Sequence, residues 1–202
     1  MTFAHWLVIL AAAISCIGGY FYVRDTIRGT TKPNRVTWGL WALAPLIGMG
    51  AALHAGADVW ATVRTFLAGF IPLIIFAASF WNRQSYWKIS KFDIACGAFS
   101  LVALVLWLAI DLPRYAILMA ALGDFFAALP TVAKTWKYPE TETAANYFAS
   151  LISVLLVIPS IKVWNIENSS FQIYLVGVDV LLLLALYRRQ LFGRFFRPTV
   201  SK

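Results

Sequence analysis

The sequence predicts an all-α membrane protein with seven transmembrane helices, and three observations support this fold class. Hydrophobic residues make up 61% of the 202-residue chain and charged residues only 13%, whereas soluble domains carry about 25% charged residues. Apolar stretches of nearly the length that crosses a bilayer, about 20 residues, recur along the chain. Basic residues collect in alternate connections between them. This composition excludes an ordinary soluble domain, a disordered chain and a nucleic-acid-binding domain.

The apolar stretches define seven predicted spans. In chain order they are residues 3–23, 36–56, 59–80, 94–110, 115–133, 144–161 and 171–187. Backbone groups in lipid must be hydrogen-bonded within their own segment, so each span is expected to be helical. No Lys or Arg precedes the first span, which we therefore expect to be a retained helix rather than a signal peptide. The two cysteines, Cys16 and Cys96, do not form a disulfide framework or a metal site.

The distribution of charge predicts the orientation. Fourteen of the 17 basic residues fall in the first, third and fifth connections and in the C-terminal tail. Cytoplasmic loops are enriched in Lys and Arg, so we expect the N-terminus outside and the C-terminus in the cytoplasm. This orientation requires an odd number of spans. Because the loops are short, we expect an integral protein of the cytoplasmic (inner) membrane of a prokaryote.

An internal repeat appears when the sequence is shifted by 109 residues. The shift aligns Val23 with Val132, Thr26 with Thr135, Arg28 with Lys137 and Trp38 with Tyr147. Spans one to three then match spans five to seven, and span four remains as a linker helix. A linker of one helix, an odd number, gives both three-helix repeats the same orientation in the membrane. The predicted arrangement is therefore a parallel 3+1+3 repeat. The predicted organisation is a first repeat over residues 1–82, a linker over 83–112, a second repeat over 113–192 and a basic cytoplasmic tail over 193–202.

One segment resembles a known family. Residues 129–137, followed by residues 139–142, resemble the second signature loop of the PQ-loop and SWEET superfamily, with Pro130-Thr131 in place of its Pro-Gln pair. The 3+1+3 layout and the outside N-terminus are also similar to that superfamily. The resemblance implies a seven-helix carrier in which two three-helix bundles enclose a central path. It also implies hinge roles for Pro45 and Pro130.

Charged residues inside the spans are the first functional candidates. Asp124 and Asp179 lie about 10 residues into their spans, which at 1.5 Å per residue is near the bilayer middle. A carboxylate there costs at least about 2.5 kcal/mol, so both side chains should face protein or water. They are either a proton relay or neutral carboxyls that tie helices together. Arg64 is either a substrate clamp, a counter-ion to an aspartate, or a side chain that snorkels to the outer headgroups.

Polar and aromatic residues of spans two and six are the second set of candidates. Trp38, Trp41, Asn146, Tyr147 and Ser150 occupy matching positions of the two spans. Aromatic faces beside an amide suit a sugar ring or a vitamin-like heterocycle. The alternative interpretation is interface anchoring and helix packing. We also interpret Gly48, Gly50 and Gly177 as sites of close helix contact.

The leading hypothesis from the sequence is a small secondary transporter or facilitator. It would move a small polar solute by alternating access, with Asp124 and Asp179 coupling transport to protons. This hypothesis predicts a cavity at mid-depth that touches both repeats. The alternative is a SWEET-like receptor or scaffold that binds a ligand or a protein without transport, which predicts a dry core. We expect no enzyme activity, cofactor, metal or nucleic acid; the expected partners are a solute and the bilayer, and a homo-oligomer is compatible with the sequence.

Overall fold

The computed structural model describes residues 3–54, 59–110, 112–161 and 163–192, and within them all regular secondary structure is helical. A few side chains near helix ends lie outside the described set: 3–4, 51–52, 59–65, 113, 160, 167–168 and 192. The seven α-helices are α1 (Phe3–Ile27), α2 (Arg35–His54), α3 (Val59–Ala78), α4 (Lys91–Ala109), α5 (Pro113–Lys137), α6 (Ala144–Val157) and α7 (Ile166–Phe192). The predicted number and order of helices are confirmed.

The ends of the helices differ from the predicted spans for physical reasons. Hydropathy marks only the part of a helix that is apolar, whereas backbone hydrogen bonding continues into polar sequence. Helix α7 therefore extends from Ile166 to Phe192, beyond both ends of its predicted span. Helix α6 ends at Val157, before the predicted residue 161, and a 3-10 turn containing Pro159 follows it. Proline has no backbone N–H to continue an α-helix.

Local sequence signals fix where two of the helices begin. The side-chain oxygen of Asn34 accepts hydrogen bonds from the backbone N–H groups of Val36 (3.0 Å) and Thr37 (3.3 Å), so α2 starts immediately after it. Ser90 and Asp93 form a capping box at the start of α4, in which each side chain accepts from the other residue's backbone N–H. Such caps satisfy the donors that every helix leaves unpaired at its first turn.

Within the described part of the chain, four helices are long and apolar enough to cross a membrane. They contain the stretches His5–Ile27, Lys91–Ala109, Arg114–Lys137 and Ser169–Leu191. Helix α4 also turns large apolar side chains outward: Ile94 and Val105 are each 62% exposed, and Phe99 and Val102 are each 58% exposed. A soluble protein rarely leaves so continuous an apolar face uncovered. These features indicate an integral membrane protein.

The helices of each half pack on one another, and two pairs, α1 with α6 and α2 with α5, join the two halves of the chain. Helix α1 packs on α6 and on α3, while α5 packs on α2 and on α7. Helix α2 also packs on α3, and α6 packs on α7. Helix α4 lies mainly against α5. The shared core includes the fully buried Tyr22, Trp38, Ile75, Tyr147 and Leu182, which come from five different helices.

Three connections meet at one end of the bundle. The backbone N–H of Lys32 donates to the carbonyl of Thr141 at 2.9 Å, which joins the α1–α2 connection to the α5–α6 connection. The side-chain amide of Asn82, after α3, donates to the carbonyl of Ile27 at 3.0 Å. The guanidinium of Arg188 in α7 lies at the same end and donates to the carbonyl of Lys137 at 3.5 Å. We call this region, formed by the three connections and the end of α7, the basic end.

Glycines of α1, α2 and α7 differ in how closely a neighbouring helix approaches them. A Cβ atom added at Gly18 would overlap the Ala149 side chain and lie 3.0 Å from the Ala145 carbonyl oxygen, so this glycine permits the close approach of α1 and α6. A Cβ atom at Gly50 or Gly177 would meet no atom of the described residues within 4 Å. The predicted role of Gly50 and Gly177 in close helix contact is therefore wrong. At Gly48 a Cβ would lie 3.2 Å from the Trp107 ring, as a contact site requires.

We expect Gly18→Ala to lower the free energy of unfolding by about 1–3 kcal/mol, because the added methyl group overpacks the α1–α6 contact. The matched control is Gly177→Ala, which adds the same methyl group to open space. Thermal unfolding of the purified protein in detergent measures both effects. Equal stability of the two variants would contradict the described contact.

Candidate functional site

A cavity of about 210 Å³ lies between the two halves of the chain. Residues of α1, α2, α3, α5, α6 and α7 line it, and none of its described lining residues comes from α4. The lining includes eight of the residues predicted from the sequence: Trp38, Trp41, Pro45, Asp124, Asn146, Tyr147, Ser150 and Asp179. The structure therefore brings nearly all of the predicted site residues to one place.

One predicted residue, Pro130, is not among the described residues of this lining. Pro130 is buried in α5, which continues through it without a break, as α2 continues through Pro45. The side chain of Arg64 lies outside the described residues.

Asp124 and Asp179 each have a hydroxyl partner. The hydroxyl of Tyr174 donates to the Asp124 carboxyl at 2.7 Å. The hydroxyl of Ser150 donates to the Asp179 carboxyl at 2.7 Å, and Asp179 is only 6% exposed. Within the described residues neither aspartate forms an ion pair. Both acids therefore face the cavity with partners that carry no charge.

Aromatic rings form the wall of the cavity toward the basic end. The ring of Trp38 packs on Tyr22 with 4.7 Å between centroids, and Trp41 meets Trp38 edge-on at 5.2 Å. Trp38 and Tyr147 are each 1% exposed. The indole N–H groups of Trp38 and Trp41 are buried and make no hydrogen bond among the described residues. The indole of Trp41 lies close to the Asp124 carboxyl without the geometry of a hydrogen bond.

A buried ionic cluster closes the bundle between this wall and the basic end. The Glu142 carboxylate accepts hydrogen bonds from the hydroxyls of Tyr22 and Tyr147, each at 2.7 Å. Its second oxygen pairs with the ammonium of Lys134, which also donates to the carbonyl of Lys32. The side chains of Glu142 and Lys134 are 0% and 1% exposed. We call Tyr22, Lys134, Glu142 and Tyr147 the Glu142 cluster.

A second set of hydrogen bonds joins the same two connections nearer the surface. Thr143 donates to the Asp25 carboxylate at 2.9 Å, and the hydroxyls of Thr143 and Thr31 lie 2.5 Å apart. Asp25 also pairs with Arg24 at 2.7 Å. Together with the Glu142 cluster, these bonds hold the α1–α2 connection against the α5–α6 connection. The basic end of the bundle is closed.

No pattern in the sequence predicts the Glu142 cluster. Lys134 and Glu142 were noted only as part of the segment that resembles the PQ-loop superfamily. The available signal was a basic and an acidic residue on either side of a short Pro-containing turn at the end of an apolar span. That signal identifies neither the partner of Glu142 in α1 nor the burial of the pair.

Comparisons with known proteins add no assignment. No family model matches the sequence, and no solved structure matches the fold. The chemistry of the cavity therefore has to be argued from its own residues.

We expect Glu142→Gln and Lys134→Met each to lower the free energy of unfolding by about 3–5 kcal/mol, because each leaves the other residue as a buried, unpaired charge. The double variant should lose less free energy of unfolding than the two single variants lose together, since it leaves neither of these two charges buried. Thermal unfolding in detergent measures all three variants.

The matched control for this prediction is Glu140→Gln in the same connection. Glu140 is 58% exposed, and its contact with Arg189 is 3.8 Å, so its removal should change stability by less than about 1 kcal/mol. A Glu142→Gln variant as stable as Glu140→Gln would contradict the buried cluster.

Proposed function

We propose that this protein is a small secondary transporter or facilitator that moves a small polar solute by alternating access. The observation that carries the proposal is the cavity between the two halves, bounded toward the basic end by the Glu142 cluster. An alternating-access carrier needs a site within the bundle and a closure that blocks one side of it. The Glu142 cluster supplies the closure, and the residues that line the cavity supply the site.

The symmetry of the lining supports the proposed 3+1+3 repeat. Four pairs of lining residues are related by the shift of 109 residues: Ser15 and Asp124, Trp38 and Tyr147, Trp41 and Ser150, and Pro45 and Val154. The first residues of α2 and α6, Arg35 and Ala144, differ by the same shift. The packing pairs correspond as well, since α1 on α6 matches α5 on α2. A cavity with this lining lies between the repeats, where repeat transporters bind their substrates.

The proposed orientation places the basic end in the cytoplasm, because Lys and Arg are enriched in cytoplasmic loops. The N-terminus is then outside, and the cavity lies on the outer side of the Glu142 cluster. We place the protein in the cytoplasmic membrane of a prokaryote. The arrangement as a whole is that of a SWEET-like, PQ-loop carrier.

Asp124 and Asp179 are the proposed proton-coupling residues. An ionised carboxylate in a site of low dielectric constant needs a positive partner or several hydrogen bonds. Each of these carboxyls receives one hydroxyl hydrogen bond, so gain of a proton or of a positive solute changes its energy strongly. Gain and loss of the proton or of the positive solute can therefore be linked to the change between two conformations.

A receptor or scaffold remains the alternative function. The observation that favours it is the dense bonding of the basic end, which a protein of fixed conformation also needs. The two functions differ in one measurable property, because only a carrier exposes its cavity alternately to the two sides of the membrane.

Glu142→Gln tests for that alternation. We expect it to increase exposure of the cavity to the basic end and to decrease exposure to the other side, because it weakens the bonds that keep the basic end closed. The reporter is Ala12→Cys, a lining position of α1, in a Cys16→Ala/Cys96→Ala background. Labelling with a membrane-impermeant maleimide is measured on right-side-out and inside-out vesicles. A several-fold rise from one side and a matching fall from the other are expected.

The control is the same reporter with Glu140→Gln, which should keep the wild-type labelling pattern. Unchanged labelling in the Glu142→Gln protein, with the protein still folded, would contradict alternating access and favour the receptor or scaffold.

A further inference from the structure

We propose that the cavity binds a small organic cation that carries a hydroxyl or carbonyl oxygen. This inference rests on the proposed function, for which it names the class of solute. It follows from the charge of the lining, from its aromatic faces and from an unpaired donor.

The described lining carries acidic side chains and no basic ones. Asp124 and Asp179 contribute two carboxyls, and no described lining residue is Lys, Arg or His. The partners of the two acids, Tyr174 and Ser150, donate neutral O–H groups. Burying an unpaired carboxylate is costly, and a positive group placed beside it removes most of that cost. An anionic solute would meet repulsion in the same place.

The aromatic lining favours a cation of low hydration. Trp41 and Phe171 are the partly exposed aromatic rings of the described lining, and Trp38 and Tyr147, each 1% exposed, lie behind them. Cations bind over the faces of such rings, and Trp is the most favourable of them. Quaternary ammonium groups bind in this way in aromatic cages. Carboxyls and aromatic faces together recognise an alkylammonium group better than a strongly hydrated metal ion.

The unpaired donor predicts an oxygen on the solute. The indole N–H of Trp41 is buried beside the Asp124 carboxyl and makes no hydrogen bond among the described residues, whereas that of Trp38 lies close to the Tyr22 hydroxyl. An indole N–H can only donate, so the missing partner is an acceptor atom. The volume of about 210 Å³ limits the size of the solute. A cavity of about 150 Å³ holds one benzene molecule, so a molecule slightly larger than benzene fits here.

Choline and acetylcholine are the probes for this class, because each combines a quaternary ammonium group with an oxygen. Their controls are 3,3-dimethyl-1-butanol and 3,3-dimethylbutyl acetate, which have the same shapes with carbon in place of the charged nitrogen. Thermal unfolding of the detergent-purified full chain measures binding, since a ligand that binds only the folded state raises Tm. We expect at least one cation to raise Tm by several degrees, and neither neutral isostere to do so.

Variants place the effect in the cavity. Asp179→Asn and Asp124→Asn keep the shape of each side chain but remove its charge, and each should reduce the Tm shift several-fold. Glu140→Gln removes an exposed acid outside the cavity and should leave the shift unchanged. Retention of the full shift in both aspartate variants would overturn the proposal.

Three other outcomes also overturn it. Equal shifts with the neutral isosteres would show a neutral solute, and no shift with any probe would reject this class of cation. A shift seen only in Arg64→Gln would show that Arg64 already neutralises the two acids. The labelling of Ala12→Cys needs no ligand, so it tests alternating access separately from the choice of solute.

Discussion

The position of the helices at the basic end depends on one carboxylate. Glu142 holds the hydroxyls of Tyr22 in α1 and Tyr147 in α6 and the ammonium of Lys134 in α5. Desolvation offsets most of the attraction within a buried ion pair, so such a pair adds little net stability. Removing one partner is nevertheless costly, because the other charge stays buried. The cluster therefore fixes where three helices sit relative to one another more than it stabilises the fold.

Two side chains connect the cavity to the Glu142 cluster. Tyr147 lines the cavity and donates its hydroxyl to Glu142, while Trp38 lines the cavity and packs on Tyr22. A solute that displaces either ring also moves a ring or a donor of the Glu142 cluster. A ligand shifts a conformational equilibrium only through contacts that differ between the two states. In the proposed carrier these two residues would supply such contacts, and binding would then be coupled to opening locally.

The bilayer explains how much of this could be predicted from the sequence. Lipid sets the length and helicity of each span, so the seven helices could be predicted from hydropathy. The shift of 109 residues aligns Trp38 with Tyr147, and both line the cavity. The Glu142 cluster could not be predicted, because Tyr22 and Glu142 are 120 residues apart and no periodicity relates them. The role of Gly177 was predicted wrongly, because a small residue does not reveal which face of a helix meets a neighbour.

The acids within the bundle differ in how they are satisfied. Glu142 has a cation and two hydroxyls, so its charge is fully compensated by the protein. Asp124 and Asp179 have one hydroxyl each and no ion-pair partner among the described side chains. An ionised carboxylate that stays buried without a cation is costly, and the described residues supply no cation to either aspartate. Because no described side chain supplies a fixed cation beside the cavity, the proposed carrier would take that positive charge from a proton or a cationic solute that enters and leaves.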